Sequence, residues 1–375
     1  MAKQIGILTF HYALNYGAVL QAYALTRACE KCGHEVELIN YYTHGHERVN
    51  RIISDSKRGL VKSVLYALLV APNYSQLKRK RLKFKDFQKD YLKVSRRFKS
   101  SSELINNLPK KDIFITGSDQ VFNPVSDDSI RVYFLIFEKK NGCKKIAYAP
   151  SFGISVFEES LKQRIGGLVK DFDRLSCRED DGASFLASIT EKNVETVLDP
   201  VFLLDSKEWE GIELPCSTIN DYDGRYLFVY DLNGRDNLIS LAKKLQDIVG
   251  LPIVCLTTKK YLVRKYHVDR IILDAGPREF LSLINHAAFV ITDSFHGVAF
   301  ATIFKKQFIA YNALPKASRR IKSLLGMINL EERLIENVNV DKGIVGEIIS
   351  RRIDYQTELN HLIHLSKSFL EESLD

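Results

Sequence analysis

Short apolar runs that end in polar loops, each followed by a longer amphipathic or apolar stretch, recur along most of the chain. This is the pattern of buried parallel strands alternating with helices. Ile5–Phe10 is the first such run. It passes through His11–Ala18 into an apolar helix that reaches Cys32 and that Gly33 ends in a C-cap position, and Glu35–Tyr41 then reads as a second strand. Asp112–Gly117, Lys145–Tyr148 and Leu175–Cys177 predict further strands, with a helix over 158–169 and another opening at Arg178–Asp181, and Thr196–Pro200 closes this half. Residues 205–225 are mixed polar, contain Pro215 and Gly224, show no clear period, and are expected to be a linker. A second α/β half follows, with strands at Tyr226–Tyr230, Ile253–Cys255, Ile271–Leu273, Phe289–Ile291 and Gln307–Tyr311 and helices over 236–248 and Pro277–Ala287. The tail from Val345 to Leu374 reads as helical throughout. The expected organisation is therefore an α/β domain over 1–204, the linker, a second α/β domain over 226–340 and a helical tail over 341–375.

Length agrees with two domains, because 375 residues exceed what one ordinary core accommodates. With 45% hydrophobic and 27% charged residues the composition is that of a soluble globular protein. No apolar h-region follows Met1, so no signal peptide is expected, and the apolar run Val64–Ala71 is far too short to span a bilayer. Six cysteines in a chain of this length do not suggest a disulfide framework. Cys29 and Cys32 form a C-x-x-C inside a helical stretch with no second pair at zinc spacing, so they are read as reduced structural thiols and the location as cytoplasmic. No metal site is expected.

The net charge of +8 is concentrated between Lys78 and Lys99, where Leu82, Phe84, Phe87, Tyr91, Leu92 and Val94 interleave with the bases. An amphipathic helix is expected over much of this stretch. A solvated helix face is one reading. The other is a patch for anionic lipid or a phosphorylated acceptor, giving peripheral contact with the inner face of the membrane. No nucleic-acid module accompanies the charge, so nucleic acid is not an expected partner.

Candidate chemistry lies where strands run into helices. In His286–Phe300 the apolar run Phe289–Ile291 leads through Thr292, Asp293 and Ser294, which offer N-cap chemistry, to an apolar helix from Val298 onward. Such a turn aims backbone N–H groups and a positive dipole end at whatever binds there. His296 is expected in that turn, with Gly297 letting the backbone approach a ligand, although a histidine capping an ordinary strand–helix turn fits the same residues. Similar polar loops follow the first strand (Asn15, Tyr16, Gly17) and the 112–117 strand (Ser118–Pro124). There is no G-x-G-x-x-G and no G-x-x-x-x-G-K-[ST], so a dinucleotide fingerprint and a P-loop are unsupported.

Taken together, ILTFHYALNYGAVLQAYAL, GSDQVFNP, IAYAPSFG, SCREDDGASFL, VLDPVFLL and ITDSFHGVAFATIFKKQF resemble the polysaccharide pyruvyl transferase family, in family order from Ile5 to about Leu334. The resemblance implies an α/β fold of two Rossmann-like domains similar to the glycosyltransferase-B architecture, with an active site in an interdomain cleft and a C-terminal tail packing back on the first domain. It implies transfer of the enolpyruvyl group of phosphoenolpyruvate onto a sugar residue of a cell-surface polysaccharide or its precursor, forming a pyruvate ketal. Phosphoenolpyruvate is then the donor substrate, a sugar or lipid-linked glycan the acceptor, and no cofactor is needed. Asp119 corresponds to the donor-site aspartate, Arg178 to the donor-binding arginine and His296 to the proposed catalytic histidine; Asn15, Tyr16, Gly17, Ser294 and Phe295 join them as substrate-binding candidates. Some members carry a basic residue two positions before the histidine, where this chain has Ser294, so Lys316, Arg319 and Arg320 are candidates to supply the missing positive charge. Two other functions fit the same features. One is a glycosyltransferase using a nucleotide sugar, and the other is a non-catalytic member of an exopolysaccharide system.

Overall fold

The computed structural model describes residues 1–49, 59–123, 126–139, 142–154, 157–234, 236–260, 266–311, 315–336, 342–351 and 354–375. Among the described residues, twelve strands form two six-stranded sheets, and every pairing within them is parallel. The first sheet contains β1 (Gln4–Leu8), β2 (Glu35–Leu38), β3 (Ile113–Thr116), β4 (Lys144–Ala147), β5 (Arg174–Cys177) and β6 (Val194–Thr196) in the order β2-β1-β3-β4-β5-β6. The second contains β7 (Leu227–Asp231), β8 (Ile253–Thr257), β9 (Arg270–Ile272), β10 (Phe289–Thr292), β11 (Phe308–Tyr311) and β12 (Leu334–Ile335) in the order β12-β11-β10-β7-β8-β9.

Both orders reverse direction once, between β1 and β3 in the first sheet and between β7 and β10 in the second. Ligands of open α/β sheets bind outside the carboxyl ends of the strands at such reversals. The strand order thus singles out four loops, after β1, β3, β7 and β10. The strands between them are apolar on both faces, as parallel strands covered by helices must be. Ile7 pairs with Ile115 and Ile115 with Ile146, and all three are fully buried. Val229 pairs with Ile291 and Ile291 with Ile309 in the same way.

The chain forms two compact units, one of residues 1–47, 88–204 and 357–375 and the other of 48–87 and 205–356. Residues 205–225, expected to be a linker, instead belong to the second unit. Asp205 caps helix Ser206–Glu210 in a capping box, and that helix buries Trp209 edge-on against Phe300, with ring centroids 5.0 Å apart. Trp209 anchors the segment, and Ile212, Cys216 and Ile219 are buried with it, but their spacing follows neither a helical nor a strand period. The tail is not helical throughout, because helix Lys342–Ser350 and helix Gln356–Leu374 are separate elements. The second of these belongs to the first unit, where Leu198 N donates to Ser366 Oγ at 2.9 Å and Arg174 pairs with Glu372 at 3.2 Å.

The basic segment is helical only over Tyr74–Tyr91. Beyond it the chain is extended, with isolated parallel bridges from Val94 to Leu38 and from Phe98 to Tyr41. The helix buries Lys80, Phe84 and Phe87, and burial pulls the Lys80 ammonium down to about 8 beside Lys260. None of the six cysteines forms a disulfide, and burial raises the Cys29 thiol.

Truncating Trp209 to Ala should therefore cost about 3–5 kcal/mol, the usual penalty for emptying a fully buried aromatic site. A linker would respond differently: an unchanged melting temperature in Trp209→Ala, measured by calorimetry, would return 205–225 to that role.

Candidate functional site

In the first unit the loops at the strand reversal are organised by a buried polar network. Arg178, directly after β5, is only 2% exposed. Its Nη1 donates to Asp199 Oδ2 at 2.6 Å and its Nε to Glu179 Oε1 at 3.0 Å. Asp199 also accepts from Ser118 Oγ at 2.8 Å, while Thr9 Oγ1 donates to the Ser118 carbonyl at 3.0 Å and accepts from Gln21 Nε2 at 2.8 Å. Residues at the tips of β1, β3, β5 and β6 are thus joined by side chains. Burial alone would pull the Arg178 guanidinium down, but the carboxylates of Glu179, Asp199 and Asp119 outweigh it and hold it above its ordinary value. A fork engaged in this way through Nε and Nη1 fixes the loops.

Asp119 follows β3 and has the backbone of a strained residue, with φ 71° and ψ −172°. That region is nearly exclusive to glycine and costs a side-chain-bearing residue roughly 1–3 kcal/mol. The strain is held by Ser151 N, which donates to the Asp119 carbonyl at 2.8 Å, and by Gln120 N, which donates to its Oδ1 at 2.9 Å. The half-buried carboxylate is close enough to Tyr12 and Tyr133 to raise both phenols, although burial is the larger cause. Asn15 caps helix Tyr16–Lys31 by accepting from Ala18 N at 3.2 Å, and Tyr16 and Gly17 are buried in its first turn. On this geometry Asn15 holds the helix in place, and Tyr16 is core.

Sequence reasoning missed the aromatic and imidazole cluster beside Asp119. Tyr12 stacks on His46 with ring centroids 4.3 Å apart, and Tyr41, Tyr42 and Tyr133 surround them. His46 Nδ1 accepts from Thr43 N at 3.2 Å, so in the neutral ring Nε2 carries the proton and donates to Tyr12 at 3.0 Å. Burial, with His11 and Arg97 nearby, lowers His46 to about 4. His11, after β1, is buried and lowered as well, and its Nδ1 donates to the Thr9 carbonyl at 3.1 Å. The only hint of this cluster in the sequence was the density of Tyr and His over 11–46.

In the second unit, helix Phe295–Ile303 is buried along its whole length. It starts three residues earlier than its apolar pattern suggests, because Ser294 is the N-cap and accepts from Gly297 N at 3.4 Å. His296 is therefore the second residue of the helix, 7% exposed, with Phe295 edge-on to it at 5.2 Å. Gly297 does not serve to admit a ligand. A Cβ there would lie 2.4 Å from Thr292 Oγ1, and that hydroxyl donates to the Tyr230 carbonyl at 3.0 Å and accepts from Ser294 N at 3.1 Å. The glycine makes room for the threonine that shapes the turn.

Asp293 clamps the two loops of this reversal together. Its carboxylate accepts from Leu232 N at 2.8 Å, Asn233 N at 3.2 Å and Asn233 Nδ2 at 2.7 Å. Burial nevertheless raises it, with Asp231 adding to the effect. Arg319 is exposed on helix Pro315–Met327 and Arg320 half-buried there, whereas the Lys316 side chain lies outside the described residues. Among the described residues no group of three or more His, Cys, Asp or Glu side chains could hold a metal ion. A cavity of about 900 Å³ opens at the amino end of the first sheet, lined by Lys3, Lys31, Cys32, His34 and Lys367 among others, and it contains none of the candidate residues.

The profile of the family described as polysaccharide pyruvyl transferase matches residues 15–313. Among curated proteins no sequence matches the chain. Solved structures with a similar fold include a UDP-N-acetylglucosamine 2-epimerase from Rickettsia bellii, 12% identical with a TM-score of 0.52 over 100% of this chain and 96% of that one. The UDP-GlcNAc 2-epimerase from Neisseria meningitidis bound to UDP-GlcNAc is 10% identical with a TM-score of 0.51, covering 99% of each chain. An alpha-glucosyltransferase in complex with UDP and a 13-mer DNA is 11% identical with a TM-score of 0.52, covering 100% and 95%. At these identities the likeness concerns the fold alone. That fold is two Rossmann-like units of the glycosyltransferase-B kind, as the strand patterns imply.

Two predictions test this geometry. Asp119→Gly should relieve the backbone and leave the melting temperature equal to or above wild type, whereas Asp119→Ala, which keeps a Cβ at the same φ, should not; matching shifts in both would show that the strain is not there. For His46, the folded value of about 4 lies below the ordinary 6.5, so between those values the unfolded chain holds a proton that the folded chain does not. Stability should fall as pH drops through that window, and His46→Gln should lose less stability than wild type between pH 7 and pH 5 in thermal melts.

Proposed function

The chain belongs to the polysaccharide pyruvyl transferase family, and from that premise we propose that it is a transferase moving the enolpyruvyl group of phosphoenolpyruvate onto two hydroxyls of one sugar residue. The reaction adds one sugar oxygen to C2 of the donor while C3 takes a proton and becomes a methyl group. The second sugar oxygen then displaces phosphate at C2, and the protons of the two hydroxyls end on C3 and on phosphate. Such a sequence needs a group that moves a proton near neutrality and a fixed positive environment for the leaving phosphate.

The observation that carries this reading is the placement of His296. It occupies the first turn of an N-capped helix at the strand reversal of the second sheet, where ligands of open α/β sheets bind. The imidazole is the residue type suited to protonating C3 or to taking a hydroxyl proton. The dipole of the helix start favours an anion beside it. Ser294 supplies the cap, not a charge, so Arg319 is the candidate for the cationic role that other members place two residues before the histidine. In the first unit, Asp119 is the proposed substrate-contacting residue. Arg178, paired with Asp199 and Glu179, positions these loops and is the arginine that the family resemblance assigns to the donor.

The test is His296→Gln, with phosphate release measured from phosphoenolpyruvate in the presence of a sugar acceptor. Loss of a general acid or base typically slows turnover by roughly 10²–10⁴-fold, with the melting temperature preserved. Donor binding, read as a thermal shift, should stay within several-fold. A shift produced by nucleotide sugars and not by phosphoenolpyruvate would replace this reading with a nucleotide-sugar transferase. Wild-type turnover in His296→Gln would leave His296 a structural residue.

A further inference from the structure

We infer that helix Gly59–Val70 and the outer face of helix Tyr74–Tyr91 form a docking surface for an anionic lipid bilayer. In the first helix Val64, Leu65, Leu68 and Leu69 are all exposed, with Leu65 and Leu68 at 56% and 66%. Positions i, i+1, i+4 and i+5 lie on one side of a helix, so these side chains form a continuous apolar face and not scattered exposed residues. The helix is twelve residues long, and no helix of the described residues is long and apolar enough to cross a membrane. Its length of about 18 Å suits a helix lying in the interface and not one spanning it.

The next helix supplies what identifies the occupant. It follows after the short turn Ala71–Asn73, which Asn73 Nδ2 ties to the Lys260 carbonyl at 3.1 Å. At about 100° per residue, Tyr74, Lys78, Leu82, Lys85 and Lys89 fall within about 80° of one another. All five are exposed. Lys80, Phe84 and Phe87 define the buried side, roughly opposite this stripe, and the exposed carboxylates Asp86 and Asp90 fall outside it. The stripe thus alternates bases with an exposed tyrosine and leucine. A partner protein with an apolar groove would match the first helix but has no need of the bases. A nucleic acid would match the bases and leave the leucines in water. A surface carrying fixed negative charge above hydrocarbon satisfies both helices. This inference does not depend on the chemistry of the transfer reaction.

Flotation of the full chain with vesicles of phosphatidylcholine alone, and of phosphatidylcholine with phosphatidylglycerol, tests it. The chain should float with the anionic vesicles at low salt, remain in solution with the neutral ones, and be released as salt is raised. Leu65→Glu with Leu68→Glu should reduce vesicle affinity by at least about tenfold, because two apolar anchors are lost. Lys78→Gln and Lys85→Gln should each weaken binding about fivefold on anionic vesicles. Both changes fall on exposed side chains, so the melting temperature should match wild type. Absence of flotation by wild type, or equal flotation by the leucine variant, overturns the inference. A wild-type dimer in solution that the leucine variant converts to monomer, with no vesicle binding, would assign the face to a second copy of the chain and likewise overturn it.

Discussion

The first unit depends on the pair between Arg178 and Asp199, which is 2.6 Å long and shielded from water on both sides. A buried carboxylate or guanidinium left alone is strongly destabilising, by about 3–5 kcal/mol when one partner is removed. Each must therefore find the other, and through Ser118 and Thr9 the pair brings the tips of four strands into one arrangement. That arrangement in turn allows Asp119 its unfavourable φ, because the backbone bonds that hold it come from the neighbouring loop at Ser151. Whether or not the pair adds net stability over an apolar equivalent, it selects one register of loops.

The second unit reaches the same end by different means. Its strand tip is shaped by neutral hydrogen bonds around Thr292 and by the carboxylate of Asp293, which accepts three N–H donors from the opposite loop. Here the constraint is steric as well. Thr292 can bond both ways only because Gly297 has no side chain. The helix that begins at Phe295 is then apolar all round and buried, so its start cannot drift, and His296 is presented by a rigid element. The proton-transferring role proposed for His296 would benefit from such rigidity, since a misplacement of about 1 Å can cost roughly 10²-fold in rate.

Burial and exposure are divided unusually between the two basic regions of the chain. Arg178 is buried and paired with carboxylates inside the protein, while Lys78, Lys85 and Lys89 remain at the surface in a stripe with Tyr74 and Leu82. The buried cation is matched by carboxylates on the same unit, whereas the surface cations of the stripe occupy a different arc of their helix from Asp86 and Asp90. Charge that folding does not require is free to meet a partner, which is why the positive net charge bears on association and not on the fold.

The alternation of apolar runs with polar loops was enough to determine most of the strands and the two α/β halves, because buried parallel strands must be apolar on both faces. The set of motifs was enough to indicate the family. What the sequence could not determine were the pairings that depend on distant residues. The family resemblance assigns Arg178 to the donor, and only the fold brings Asp199 within reach of it. Gly297 looked like room for a ligand, and the space proved to belong to Thr292, five positions earlier. The 205–225 segment looked like a linker because its buried residues, Trp209, Ile212, Cys216 and Ile219, follow no regular period. The cluster around Tyr12 and His46 joins loops after separate strands, so no local spacing announces it. Periodicity records that a face is buried. Which partner buries it, and whether a charge is spent inside or left for a ligand, is decided only when strands far apart in the chain become neighbours.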